Sequence, residues 1–181
     1  MPSGKTHDRI TLWLLPWIVG GTYLLTNNGE LTLIVAGGFL FSGLMFGPDL
    51  DIHSIQYQRW GVLRYIWLPY RRLFSHRSFF SHGLIVGTII RTVYLLAIIT
   101  CLAFFIVAIA QIIWGFEWNW QQFILKTFTS LKTQYFRETI ALFTGLELGA
   151  MSHSLSDWLS TRSKKRRRKK QVFHRAAPHK K

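Results

Sequence analysis

The chain of 181 residues has a single cysteine, Cys101, set in an apolar run, so neither a disulfide framework nor a thiolate zinc site is available. Acidic residues are scarce, 8 against 22 Lys and Arg. No small-x-small cleavage pattern follows the first apolar stretch, which argues against a removable signal peptide although Lys5 and Arg9 precede it. The long apolar runs lack the alternation of a membrane barrel. The serines near His76 and His153 lack the strand-turn-helix elbow that makes a serine nucleophile. These absences leave a chain that must hold any metal through nitrogen and oxygen, and that must satisfy its backbone within helices.

What is present divides by position. Hydrophobic residues make up 49% of the chain and aromatics 15%, yet the net charge is +14. Residues 162–181 carry 11 of the 22 basic residues, so the remainder, 11 basic against 8 acidic, is nearly neutral. The expected organisation is a helical domain over residues 1–160 and a basic, disordered tail over 161–181. Residues 10–26 and 31–47 are uncharged runs of 17 residues each, joined by a turn at 27–30, and predict a helical hairpin. Gly20, Gly21, Gly37, Gly38 and Gly43 suit close helix contact in lipid. Residues 92–114 give 23 uncharged residues, the strongest span. Residues 139–151 are shorter and interrupted by Glu147, which fits either a span or a re-entrant segment. The expected fold class is all-α, an integral membrane bundle of about four transmembrane helices.

Loop charge sets the orientation. Residues 1–9, 48–83 and the tail carry 18 Lys and Arg, against 3 for residues 27–30 and 115–138 together. Basic residues collect on the cytoplasmic side. Both termini and the 48–83 loop are therefore expected in the cytoplasm, with the protein in the plasma (inner) membrane. Trp114, Trp118 and Trp120 would mark the opposite interface.

Histidine and aspartate play no part in that topology, yet they fall on one face of it. His7 and Asp8 precede the first span, Asp49 and Asp51 follow the second, His76 and His82 precede the third, and His153 and Asp157 follow the fourth. Pro48 stops a helix, so Asp49 and Asp51, two apart in an extended turn, can face one ion; a solvated turn would read the same way. His76 and His82 are six apart, too distant for adjacent turns of one helix. They are either ligands from a loop and a helix start or two interfacial histidines. His153 and Asp157 share a helix face one turn apart, as metal ligands or as a hydrogen-bonded pair. Arg91 and Glu147, at similar depth, are expected to form an ion pair beneath the site. Seven donors exceed the needs of one tetrahedral ion, so one or two divalent ions are expected, with zinc, manganese or iron suited to imidazole and carboxylate.

Taken together, the early His, Gly-Pro-Asp-Leu-Asp at 47–51, His-Arg-Ser-Phe-Phe-Ser-His at 76–82 and Ser-His-Ser-Leu-Ser-Asp at 152–157 resemble the family of membrane-bound metal-dependent hydrolases. The run Gln58-Arg59-Trp60-Gly61, with Pro69-Tyr70 after it, is closer to relatives described as metal-binding membrane proteins. The resemblance covers residues 1 to about 160 and implies a helical membrane protein with metal ligands His7, Asp49, Asp51, His76, His82, His153 and Asp157. The relatives often have Gly and Thr where this chain has Ser78 and Ser81. The activity it implies is hydrolysis; from the site itself we expect the substrate to be an ester or phosphoester at the membrane surface, with Asp8 a candidate general base. The competing class is a non-catalytic membrane protein whose metal is structural or sensory. A transporter fits less well, because only Arg91 and Glu147 lie deeper than one face. The seven consecutive cations from Lys164 to Lys170 are expected to lie on anionic lipid headgroups, ahead of nucleic acid, because no aromatics are interleaved.

Overall fold

The computed structural model describes residues 4–76 and 78–176, with Lys5 and residues 159–176 described by backbone alone; residues 177–181 of the expected tail lie outside the described residues. Every regular element described is helical. Helix α1 (Gly4–Thr26) turns at Asn27 into α2 (Gly29–Leu44). Asn28 caps α2, its side-chain oxygen accepting from Leu31 N at 3.0 Å, and this fixes the tip of the expected hairpin. A 3-10 turn, Pro48–Asp51, and short helices α3 (Ile55–Gln58), α4 (Leu68–Leu73) and α5 (Phe79–His82) follow. The chain then enters α6 (Val86–Trp114), α7 (Trp120–Thr133) and the 41-residue α8 (Phe136–Ala176).

The packing core is the triple layer α1, α2, α8. Small residues permit it: a Cβ on Gly149 would stand 2.5 Å from the Phe39 carbonyl, and one on Gly38 would stand 2.9 Å from the Leu142 carbonyl. At one end of this layer a cluster of Phe46, Leu50, Tyr57, Trp67, Tyr70 and Leu146 forms an aromatic plug. The plug is made by the segment between α2 and α6, which sequence reading treats as a loop. Its aromatics pin that segment against the bundle, and Trp60 Nε1 donates to the Met45 carbonyl at 2.8 Å.

Among the described residues two helices are long and apolar enough to cross a membrane, within Gly29–Asp51 and Val86–Trp114. The first is more than half buried against its neighbours, whereas the most apolar stretch of the second is wholly unburied. Four such helices are expected from the sequence. Helix α1 is polar in its first turns and contains Pro16, and the apolar part of α8 is short and carries Glu147. Residues 115–138, expected as a loop, hold α7, none of whose residues is buried. The backbone of α8 stays helical through Ala176, across most of the segment expected to be disordered. Lys and Arg are good helix formers, and no Gly or Pro interrupts residues 151–176.

Candidate metal centre

The turn Pro48–Asp51 is buried throughout, and its middle residue shows why. Leu50 is buried in the aromatic plug, which is worth about 1.5–3 kcal/mol and fixes the turn in place. Asp49 and Asp51, on either side of it, both face histidines. Asp49 stands between two of them: Oδ2 lies 3.1 Å from His153 Nε2, and Oδ1 lies 3.6 Å from His82 Nε2. Asp51 Oδ1 lies 3.0 Å from His76 Nδ1, and its Oδ2 lies 3.7 Å from His82 Nδ1.

The four chain segments singled out from the sequence thus meet at one end of the bundle. His7 on α1, with His153 and Asp157 on α8, forms one group, and Asp49, His76 and His82 form a second; within each, one donor atom per residue lies within 4.8 Å of the others. The first group is drawn tight by His7 and His153, whose rings stack at 3.9 Å, and by His7 Nε2, 3.4 Å from Asp157 Oδ1. Burial and the neighbouring His153 lower the His7 pKa, against the pull of Asp157, so the ring favours its neutral, lone-pair form. Asp51 belongs to neither group. It contacts the Nδ1 side of both histidines in the second, where a carboxylate orients a ring rather than shares its ligand.

Whether these residues suit a metal can be judged from their unspent donor atoms. His7 Nδ1 and His76 Nε2 are buried without a hydrogen-bond partner, and Asp49, His82 and His153 have only one another to face. Each such atom costs about 1–3 kcal/mol. An ion that accepts those lone pairs removes the conflict, and imidazole with carboxylate is a donor set for zinc, manganese or iron. Cys101 is exposed on α6 and takes no part.

Surrounding residues brace the centre. Arg91, fully buried, donates to the Ser81 carbonyl at 2.8 Å and to Thr88 Oγ1 at 3.0 Å, while Ser81 Oγ lies 2.9 Å from His82 Nδ1. Glu147 Oε1 accepts from Ile85 N at 2.9 Å. Ile85 has φ of 63°, a left-handed conformation that a β-branched residue rarely adopts, and the Glu147 carboxylate holds it there three residues after His82. The expected Arg91–Glu147 ion pair is therefore replaced: among the described residues no ion pair joins them, and each instead grips the turn that presents His82. Asp8, the candidate base, is engaged by Arg59, whose Nη1 donates to Oδ1 at 2.8 Å and whose Nη2 donates to Oδ2.

Sequence reasoning gave no role to Gln56, buried, whose Nε2 donates to the Gly43 carbonyl at 2.8 Å and lies 3.5 Å from His153 Nδ1. Nor did it assign one to Arg59, although the block containing it was noted for its resemblance. Neither has a spacing that signals its contact, because both act across long sequence separations.

A helical protein with two facing His and Asp groups and unspent buried donors belongs to the class of metal-binding proteins. The comparison with known families agrees: residues 2–167 match the family described as "Uncharacterized metal-binding protein (DUF2227)", and the chain belongs to it. A 59-residue stretch is 36% identical to an "Uncharacterized protein" of Aquifex aeolicus (strain VF5), covering 32% of this chain and 41% of that relative's length. No solved structure matches.

Proposed function

We propose that the chain is a membrane-embedded, metal-dependent hydrolase of esters or phosphoesters, working at the cytoplasmic face with two divalent ions. The observation that carries the hydrolytic reading is a cavity of about 250 Å³ lined by His7, Asp49 and His153, so the donors lie beside open space. Structural metal sites are closed, whereas catalytic ones keep an open position. His7, His153 and Asp157 would hold one ion and Asp49, His76 and His82 the other. Such ions lower the pKa of water and polarise the scissile oxygen. Asp51 keeps the His76 and His82 rings turned toward their ion, and the Arg91 and Glu147 braces hold the His82 turn in register. Asp8, neutralised by Arg59, shapes the rim and is not the base.

Several features support the membrane setting. Helix α6 is 29 residues long, about 43 Å at 1.5 Å per residue and longer than the ~30 Å hydrocarbon core, and its most apolar stretch is wholly unburied. The distribution of Lys and Arg favours the centre and both termini on the inner side of a four-span bundle, where the cations from Lys164 to Lys170 meet anionic headgroups at about 1 kcal/mol each.

The alternative is a metal that only staples helix ends, favoured by the fact that the donors come from α1, the Pro48–Asp51 turn, the turn before α5, α5 itself and α8. Elemental analysis of detergent-purified protein, a generic phosphoester assay and thermal unfolding of His153→Ala separate the two. The hydrolase reading expects lost turnover in a protein that still unfolds cooperatively; unfolding of the variant at ambient temperature would establish the staple.

A further inference from the structure

The cavity beside the centre has a second wall that the metal groups do not use. It is lined by Ile52, His53, Ser54, Ile55 and Gln58, the segment linking the Asp49 turn to α3, with Asp8 and Gly4 opposite. His53 is the one histidine of the 48–83 segment outside both metal groups. It is nonetheless fixed. Gln58 Nε2, which can only donate, lies 3.3 Å from His53 Nδ1, and the ring leans on Tyr57 at 5.4 Å. Tyr57 is itself buried and capped by the Arg71 guanidinium at 4.7 Å. With Nδ1 accepting, the proton of the neutral ring sits on Nε2, leaving one held N–H donor on the cavity wall.

We infer that this cavity is the substrate pocket, that it takes the phosphoryl group of a phosphoester, and that His53 Nε2–H binds a non-reacting oxygen of that group. The lining does not oppose an anion: of its two carboxylates, Asp8 is paired with Arg59 and Asp49 is faced by two histidines. Size favours a headgroup over a whole lipid, since pockets that enclose drug-sized ligands run to about 300–1,000 Å³. His53 holds the ligand and takes no proton in this scheme. The inference rests on the hydrolase reading only for the chemistry at the cavity floor.

The test is calorimetric titration of inorganic phosphate into full-length, metal-loaded protein, with His53→Ala and His53→Gln alongside and metal content measured in each. His53 is exposed, so neither variant should disturb folding. The expected result is about tenfold weaker phosphate binding in His53→Ala, the size of one hydrogen bond to a charged acceptor, with most of it restored by Gln and no change in metal content. Equal binding by wild type and His53→Ala, or no binding by wild type, overturns the inference. Competition identifies the source: displacement by glycerol phosphate supports a soluble phosphoester, displacement by micellar short-chain phosphatidic acid alone supports a lipid headgroup, and displacement by neither overturns the phosphoester assignment. Phosphate binding that depends on His53 without any turnover would retain the pocket and discard the hydrolase.

Discussion

The two ends of the molecule are incomplete in opposite ways. At the metal centre, polar atoms are buried: His7 Nδ1 and His76 Nε2 lack hydrogen-bond partners, and Asp49 is flanked by His82 and His153. Along α6 and α7 apolar groups are exposed: only Gly87, Thr88 and Arg91 of α6 are buried, and nothing in α7 is. Neither state is tolerable in water alone, since an unpaired buried donor and an uncovered apolar surface each cost free energy. The first calls for a cation and the second for an apolar phase. A chain with both features fits the proposal of a metal centre at the edge of a bilayer.

The largest effect should come from Asp49, whose two oxygens face different groups. Asp49→Ala is expected to reduce bound metal at both positions, whereas His76→Ala should empty only its own. Elemental analysis decides it, and an Asp49→Ala protein with full metal content would undo the two-ion arrangement. Next comes Ile99→Lys, near the middle of α6 on an exposed position. A lysine at the centre of a spanning helix costs about 2.5–3.5 kcal/mol, on the order of a hundredfold in insertion. Membrane flotation should show that loss. If α6 were simply a solvent-facing helix, the added charge would leave the protein's distribution unchanged or improve its solubility.

The contrast between the two regions also explains what could be read from sequence. Helix α6 was legible because apolar content over 23 uncharged residues needs no partner to be recognised. The meeting of the His and Asp segments was legible because hydropathy set them at corresponding ends of the expected helices, and the structure brings those four segments together. Their grouping was not, because which carboxylate faces which ring depends on where Leu50 seats the turn. Asp51 sits two residues from Asp49 yet lies beside Nδ1 atoms rather than in a ligand group. The Arg91–Glu147 pair failed for a related reason: equal depth along two helices does not fix which side chains meet, and the Ser81 carbonyl and the Ile85 amide claimed them first. Helix α7 was missed because an amphipathic stretch between Trp118 and Tyr135 carries charge and loop-like polar residues together.

A smaller effect, still at the centre, tests the role of Asp51. Asp51→Asn keeps the shape while removing the charge that orients His76. Loss of such a partner weakens metal affinity by about 10–100-fold. Competition with a chelator should show this without loss of stoichiometry; loss of a whole ion would instead make Asp51 a direct ligand.

The smallest expected effects come from the glycines that let α2 and α8 meet, and they bear on whether the metal end depends on the bundle behind it. A methyl on Gly149 would run into the Phe39 carbonyl and stand 2.8 Å from Gly43 N, both backbone atoms that cannot step aside. Forcing α2 and α8 apart should cost about 1–3 kcal/mol. Because Gly149 lies four residues before His153, it should also loosen the His7–His153 stack. Gly37, in the same pair of helices, meets nothing within 4 Å, so Gly37→Ala should instead raise stability by up to about 1 kcal/mol through helix propensity. Thermal unfolding of the two variants with and without chelator separates the contributions. Gly149→Ala should lose part of its metal-dependent stabilisation, and Gly37→Ala should keep all of it. If both lost the same amount, the centre would be indifferent to how closely α2 and α8 pack, and the buried donors would owe their placement to the Pro48–Asp51 turn alone.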